Sequence, residues 1–172
     1  MKEIQLSQGK VALVDDADYD ALSAVKWCSL RTPYTFYATR HMPCASGGSK
    51  PQEKMHCLVL ARALGRDLVK GEQADHINGD GLDNRRENLR VATPAQNGRN
   101  RHRRKRNTSS RYLGVTWHTA RGKWGAQITV NYKHIHLGLY VTEMAAAQAR
   151  EVFIAAHPEL HARSNFPKEE AA

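Results

Sequence analysis

Hydrophobic and polar positions along the chain change period several times, and each change predicts an element. Two short runs of strand character lie around Ile4–Leu6 and Lys10–Val14. A helical turn is expected from about Asp16, with Leu22, Val25 and Trp27 as apolar anchors. DDADYD (15–20) has a superficial likeness to a calcium loop. It lacks the central Gly and the closing Glu, so acids at a helix start are the better reading. TPYTFYATRHM (32–42) alternates β-branched and aromatic residues as a strand does, with Trp27, Tyr34, Phe36 and Tyr37 assigned to core, and CASGGSKPQEK (44–54) has loop composition.

From Met55 the pattern MHCLVLARALG is helical and stops at Gly65. GEQADHINGDG reads as a strand running into a turn, and a second strand is expected around Leu89–Ala92. Thr93 and Pro94 then supply an N-cap and a first helical residue. Residues 74–100 therefore run strand, polar loop, strand, helix. Farther on, RYLGVTWH, KWGAQITV and KHIHLGLY are three runs of strand character, separated by TARG (119–122) and NY. TEMAAAQAREVFIAAHP follows as an amphipathic helix capped by Thr142, with Met144, Ala147, Val152 and Ile154 expected to lie on the sheet. No internal repeat is visible.

Composition narrows the class. A chain of 172 residues, 41% hydrophobic and 25% charged, is globular and can hold one domain or a few small ones. It contains no apolar run of 18 residues, and MKEIQLSQGK lacks the apolar stretch of a secretory signal, so a cytoplasmic protein with no membrane partner is expected. Cys28, Cys44 and Cys57 are odd in number and widely spaced, as free thiols are.

Charge is concentrated. Of a net +9, the segment GRNRHRRKRNTSSR (98–111) contributes +7, from seven basic and no acidic residues. Such a block repels itself unless polyanions neutralise it. A localisation signal or a solubilising linker is the bland reading; nucleic acid is favoured because cationic segments gain affinity by releasing phosphate counterions. Arg99, Arg101, Arg103, Arg104, Lys105, Arg106 and Arg111 are the contacts expected. Seven phosphate contacts would give a log–log salt slope of roughly −6.

Candidate chemistry sits in ADHINGDGLDNRRENLR (74–90). Neighbouring side chains on a strand point to opposite faces, so Asp75 and His76 serve different groups. A carboxylate near an amide oxygen suits a hard cation such as magnesium, and a neutral imidazole suits proton abstraction near pH 7. Asn97, one turn into the next helix, offers the second oxygen. Arg85, Arg86 and Arg90 are phosphate contacts or solvated loop residues, and Asp83 and Asn84 read as turn formers. His56 reads as a packing or loop-bracing residue. His134 and His136 share a strand face without a third ligand nearby, which suits a groove-facing or surface role.

Through MHCLVLARAL, ADHINGDGLDNRRENLR and TPAQNGRN, residues 55–100 resemble the HNH endonucleases of the phage and intron homing type. That resemblance implies a ββα-metal core with one divalent ion, Mg2+ or Mn2+, per active site. By position, Asp75 resembles the metal ligand, His76 the general base and Asn88 the central Asn that braces the loop. Asn97 stands where the family's third residue, His or Asn, binds metal; an amide oxygen favours magnesium or manganese over zinc. The implied substrate is double-stranded DNA in a bacterial or phage-infected host cell. One constellation per chain implies that a monomer nicks one strand and a dimer could break both.

YLGVTWH, KWGAQI, HLGLY, TEMAAAQAR and NFP (165–167) resemble the Apetala/ethylene-response-factor DNA-binding domain. Such domains lay a three-stranded sheet in the major groove. By position, Thr116, His118, Arg121, Lys123, Trp124, Gln127 and Thr129 lie on or beside the strands expected to face DNA, with Trp117 there or in the core. Thr and His replace several Arg of the plant members, so their GC-rich preference is not transferred.

The expected fold is therefore α+β: a ββα-metal nuclease core plus a small three-stranded antiparallel sheet with one helix. Residues 1–54 form a β-rich region packing with the nuclease, 55–100 the nuclease core, 101–110 a basic DNA-tracking linker and 111–167 the sequence-reading domain. A site-specific, metal-dependent DNA endonuclease is the expected function. A DNA-binding regulator with an inactive nuclease-like fold is the alternative, and the intact Asp75, His76, Asn88 and Asn97 weigh against it.

Overall fold

A computed structural model describes residues 1–42, 52–101, 109–131 and 133–166, which fall into two compact units, 1–98 and 99–172. The expected linker residues Arg103, Arg104, Lys105 and Arg106, and Cys44, lie outside the described residues.

The first unit begins with an antiparallel hairpin of β1 (Lys2–Gln5) and β2 (Val11–Val14), followed by α1 (Asp16–Ser23). β3 (Cys28–Arg31), β4 (Phe36–His41) and β5 (Gln52–Lys54) form an antiparallel sheet in that order. β3 and β5 were not expected from the pattern; each is three or four residues long and lacks clear alternation. α2 (Met55–Leu64) ends where Gly65 takes a left-handed conformation (φ 67°). β6 (Gln73–His76) and β7 (Leu89–Ala92) pair antiparallel, and α3 (Pro94–Arg99) follows. At its start the Thr93 hydroxyl accepts from the Gln96 backbone N–H at 3.3 Å, as the expected N-cap does.

A single hydrophobic cluster unites these pieces. Val14, Leu22, Trp27 and Ala38 from the N-terminal half pack with Met55 and Val59 of α2 and with Ala74 and Leu89 of the β6–β7 pair. The polar loop between β6 and β7 also docks on β2. The Leu13 backbone N–H donates to the Leu82 carbonyl and the Asn84 N–H to the Leu13 carbonyl, both at 2.8 Å. Bidentate pairing of Arg86 with the fully buried Asp18, at 2.7 and 2.8 Å, ties the loop's far end to α1.

The second unit holds β8 (Val115–His118), β9 (Lys123–Val130) and β10 (Lys133–Tyr140), antiparallel with β9 central, and α4 (Glu143–Ala156) on one face. Thr142 caps α4 through the Ala145 N–H at 3.1 Å. The seam is the expected one only at Ala147, which is buried with Ala146 against Val115 and Ala126; Val152 is 72% exposed and Met144 faces outward. Small residues here let helix and sheet approach closely. At Gly114 (φ 70°) a Cβ would stand 2.9 Å from the buried Arg150 side chain, which leaves no room for any larger residue.

Among the described residues, no helix is long and apolar enough to cross a membrane. Cys28 and Cys57 are free thiols.

Candidate active site

The period-two alternation of β6 sends Asp75 and His76 to opposite faces, and both are 5% exposed. Register sets Arg90 of β7 across from Asp75, and its Nε and Nη2 reach the Asp75 Oδ2 at 2.9 and 2.8 Å. Gln73, two residues before Asp75, shares that face. Its Oε1 accepts from Asn97 Nδ2 at 2.8 Å, which brings Asn97 of α3 to the Asp75 side of the strand.

His76 faces the other way, into a cluster of rings. The His56 imidazole, from the first turn of α2, meets it edge to face with centroids 4.7 Å apart and planes at 64°. Tyr37 of β4 tilts against both rings, at 5.3 Å from His56 and 5.8 Å from His76. The loop passes close over this cluster at Gly81, where a Cβ would fall 2.7 Å from the Tyr37 ring. His76 Nε2 lies 3.3 Å from Asn84 Oδ1, and Asn84 Nδ2 donates to the Leu82 carbonyl at 3.1 Å. An amide oxygen can only accept, so Nε2 carries the hydrogen and Nδ1 the lone pair.

The loop that delivers Asn84 is organised by Asn88. Asn88 Nδ2 donates to Asn78 Oδ1 (3.0 Å) and to the Asp83 carbonyl (2.8 Å), and its Oδ1 accepts from the Asn78 N–H (3.0 Å). Asp83 is gripped by Arg85 through two 2.8 Å bonds, and Arg85 also reaches Glu87 at 2.7 Å. Arg85, Arg86 and Arg90, expected as phosphate contacts, are thus each engaged with a carboxylate of the domain: Asp83, Asp18 and Asp75.

Burial pushes the His76 pKa below its usual value, against the Asn84 hydrogen bond and the charges of Asp75, Asp80 and Asp83. His56 is pushed well below, by burial first and then by His76 and Lys54. Both imidazoles stay neutral when folded at a pH where the unfolded chain binds protons. Stability from these groups is complete above about pH 6.5 and is lost as pH falls towards their folded values, by up to about 1.4 kcal/mol per pH unit for each. Urea melts between pH 7 and 5 should lose stability progressively, and a double variant His56→Phe/His76→Phe should flatten that slope. An unchanged slope in the variant would place the acid sensitivity elsewhere.

The donor set fits a hard cation. Asp75 offers a carboxylate and Asn97 an amide carbonyl whose nitrogen, not oxygen, makes the bond to Gln73. No group of three or more His, Cys, Asp or Glu suited to a metal exists among the described residues, which leaves a sparse oxygen site that would keep several waters.

In the second unit, register places Thr116, His118, Lys123, Gln127 and Thr129 on the sheet face opposite α4, with Arg121 in the turn between β8 and β9. His134 and His136 join them. His134 Nδ1 is 3.0 Å from the Thr129 hydroxyl, and the His136 ring is 6.3 Å from that of His118. Trp124 corrects the expectation: it alternates onto the helix face, packs beside the Val115–Ala126 core and meets Trp117 edge to face at 5.1 Å. Of the basic segment, Arg99 gives its Nε to the Leu160 carbonyl and Arg111 stacks over Tyr112, while Arg101 is exposed.

Sequence reasoning missed Asn84, Tyr37 and His56 as parts of the site. Asn84 reads only as a loop residue among turn formers, and no pattern ties residues 37, 56 or 84 to residue 76.

Residues 53–99 match the model of the HNH endonuclease family and form an HNH endonuclease domain, consistent with a ββα-metal core. Protein 3.8 of Escherichia phage T7 is 38% identical over 80 residues, an alignment covering 46% of this chain and 64% of that protein. The chain thus spans somewhat less than two thirds of that relative's length. No solved structure matches.

Proposed function

We propose that this chain is a metal-dependent, site-specific DNA endonuclease of the homing type, with its C-terminal sheet reading sequence. The observation that carries the reading is the His76 imidazole: neutral, with its Nε2 directed at Asn84 Oδ1, and one residue from the Asp75 carboxylate. His76 Nδ1 accepts a proton from the water that attacks the scissile phosphorus. Asp75 and Asn97 hold the divalent ion, Mg2+ or Mn2+. When bound, that ion supplies charge stabilisation at the phosphoryl and leaving 3′-oxygens. Arg90 keeps the Asp75 carboxylate oriented and partly neutralised. On the second unit, Lys123, Gln127, Thr116, Thr129 and His118 present donors and acceptors on one open face, as reading base edges requires. Arg99, Arg101 and Arg111, with Arg103, Arg104, Lys105 and Arg106 between them, follow the phosphate backbone, which positions the protein without specifying sequence.

Cleavage of target-bearing supercoiled plasmid should require added Mg2+ or Mn2+ and stop on chelation. Asn97→Ala should raise the metal concentration for half-maximal rate by about tenfold or more, since losing one of few ligands weakens a sparse site. Cleavage that persists in chelator, or an Asn97→Ala titration that overlays wild type, would remove the metal assignment.

A further inference from the structure

We infer that His56 is a positioning residue for the HNH site: together with Tyr37 it clamps the His76 ring so that Nε2 stays on Asn84 and the lone pair on Nδ1. The inference rests on the reading of His76 as the base.

The geometry around His76 supports it. His56 is 4% exposed and touches His76 ring to ring, at 4.7 Å and 64°, the edge-to-face geometry aromatic pairs prefer. Its Nδ1 has no hydrogen-bond partner among the described residues, so through that atom it gives His76 no hydrogen bond; what it supplies is a flat face and an edge. Tyr37 closes the cluster against both rings and is itself covered by Gly81 and by the Lys54 ammonium, 5.6 Å over its ring. The Asn84 bond, at 3.3 Å, is too long to fix the His76 ring alone. Rotation of that ring would exchange Nε2 for carbon and carry the basic nitrogen away. The position of His56 at the start of α2, anchored by the buried Met55 and Val59, makes it a rigid stop.

Long-range 1H–15N spectra of the histidine rings in the full-length protein test this without DNA, beside single-turnover cleavage at saturating DNA and metal. Wild type should show His76 as one tautomer with its hydrogen on Nε2. His56→Leu, close to histidine in volume but lacking a flat edge, should average the two His76 nitrogen signals. It should also lower the cleavage rate about tenfold or more with DNA affinity unchanged. His56→Phe, which overfills the volume but keeps the ring, should recover both the single-tautomer pattern and most of the rate. A His76 pattern in a folded His56→Leu protein identical to wild type overturns the inference, as does a His56→Phe protein that behaves like His56→Leu. If wild type cuts no DNA, the nuclease reading falls, and the spectra still decide whether His56 holds His76.

Discussion

His76→Ala should lower the single-turnover rate of DNA cleavage by about 10²–10⁴-fold, the usual loss when a positioned proton acceptor is removed. DNA affinity should change by no more than about twofold, because binding rests on phosphate and base contacts that the buried ring does not make. The separation follows from placement. His76 is 5% exposed and its neighbours are Asn84, His56 and Tyr37, whereas the basic and open-face residues that would carry affinity lie in the other unit. Removing a buried ring also opens a cavity beside His56 and Tyr37, so melting curves must accompany the kinetics. His76→Gln is the companion variant: it fills more of the space and can donate to Asn84 Oδ1, yet supplies no basic nitrogen. Both variants should be equally slow while differing in stability. A folded His76→Gln protein that cleaves at the wild-type rate would show that another group takes the proton.

The parts of this site that the sequence made legible are those encoded locally. Gly65 marks the end of α2, Thr93 and Pro94 the start of α3, and the turn formers of 77–88 the loop between two strands, because each acts on its own backbone. Asp75 and His76 on opposite faces follow from the strand period alone. What converges from afar was not legible. Tyr37 and His56 reach His76 because α2 and β4 share a core, and Arg86 finds Asp18 across 68 residues of chain. Asn84 looked like a turn former, but it is fully buried against the histidine, and burial within a polar loop has no signature in one sequence. The same limit explains α4. Its large apolar residues pointed to Val152 and Met144 as the packed face, while the actual seam is alanine, because close approach of helix and sheet favours small side chains over greasy ones.

Asn88→Ala should destabilise the domain by about 1–3 kcal/mol, since it leaves the Asp83 carbonyl, whose bond to Asn88 is buried, without that partner, while the Asn78 N–H it also releases belongs to an exposed residue. The three side-chain bonds of Asn88 span the loop from its first turn to its last, and its own carbonyl accepts from the Ile77 N–H at 2.8 Å. Asp83 is the neighbour of Asn84, so a loop released at Asp83 also loosens the Asn84 bond to His76. Cleavage should therefore fall with stability, more steeply than the folded fraction alone explains. Asn88→Asp separates packing from hydrogen bonding. It is nearly the same size and keeps an oxygen for the Asn78 N–H, but it turns the donor facing Asn78 Oδ1 and the Asp83 carbonyl into a third acceptor. At neutral pH it should be at least as damaging as alanine, and it should recover partially at acidic pH as the carboxyl gains a proton to donate. Urea midpoints for both variants measure the effect. A midpoint unchanged in Asn88→Ala would mean that the Arg85–Asp83 pair and the strand ends hold the loop without it, leaving the central Asn no bracing role.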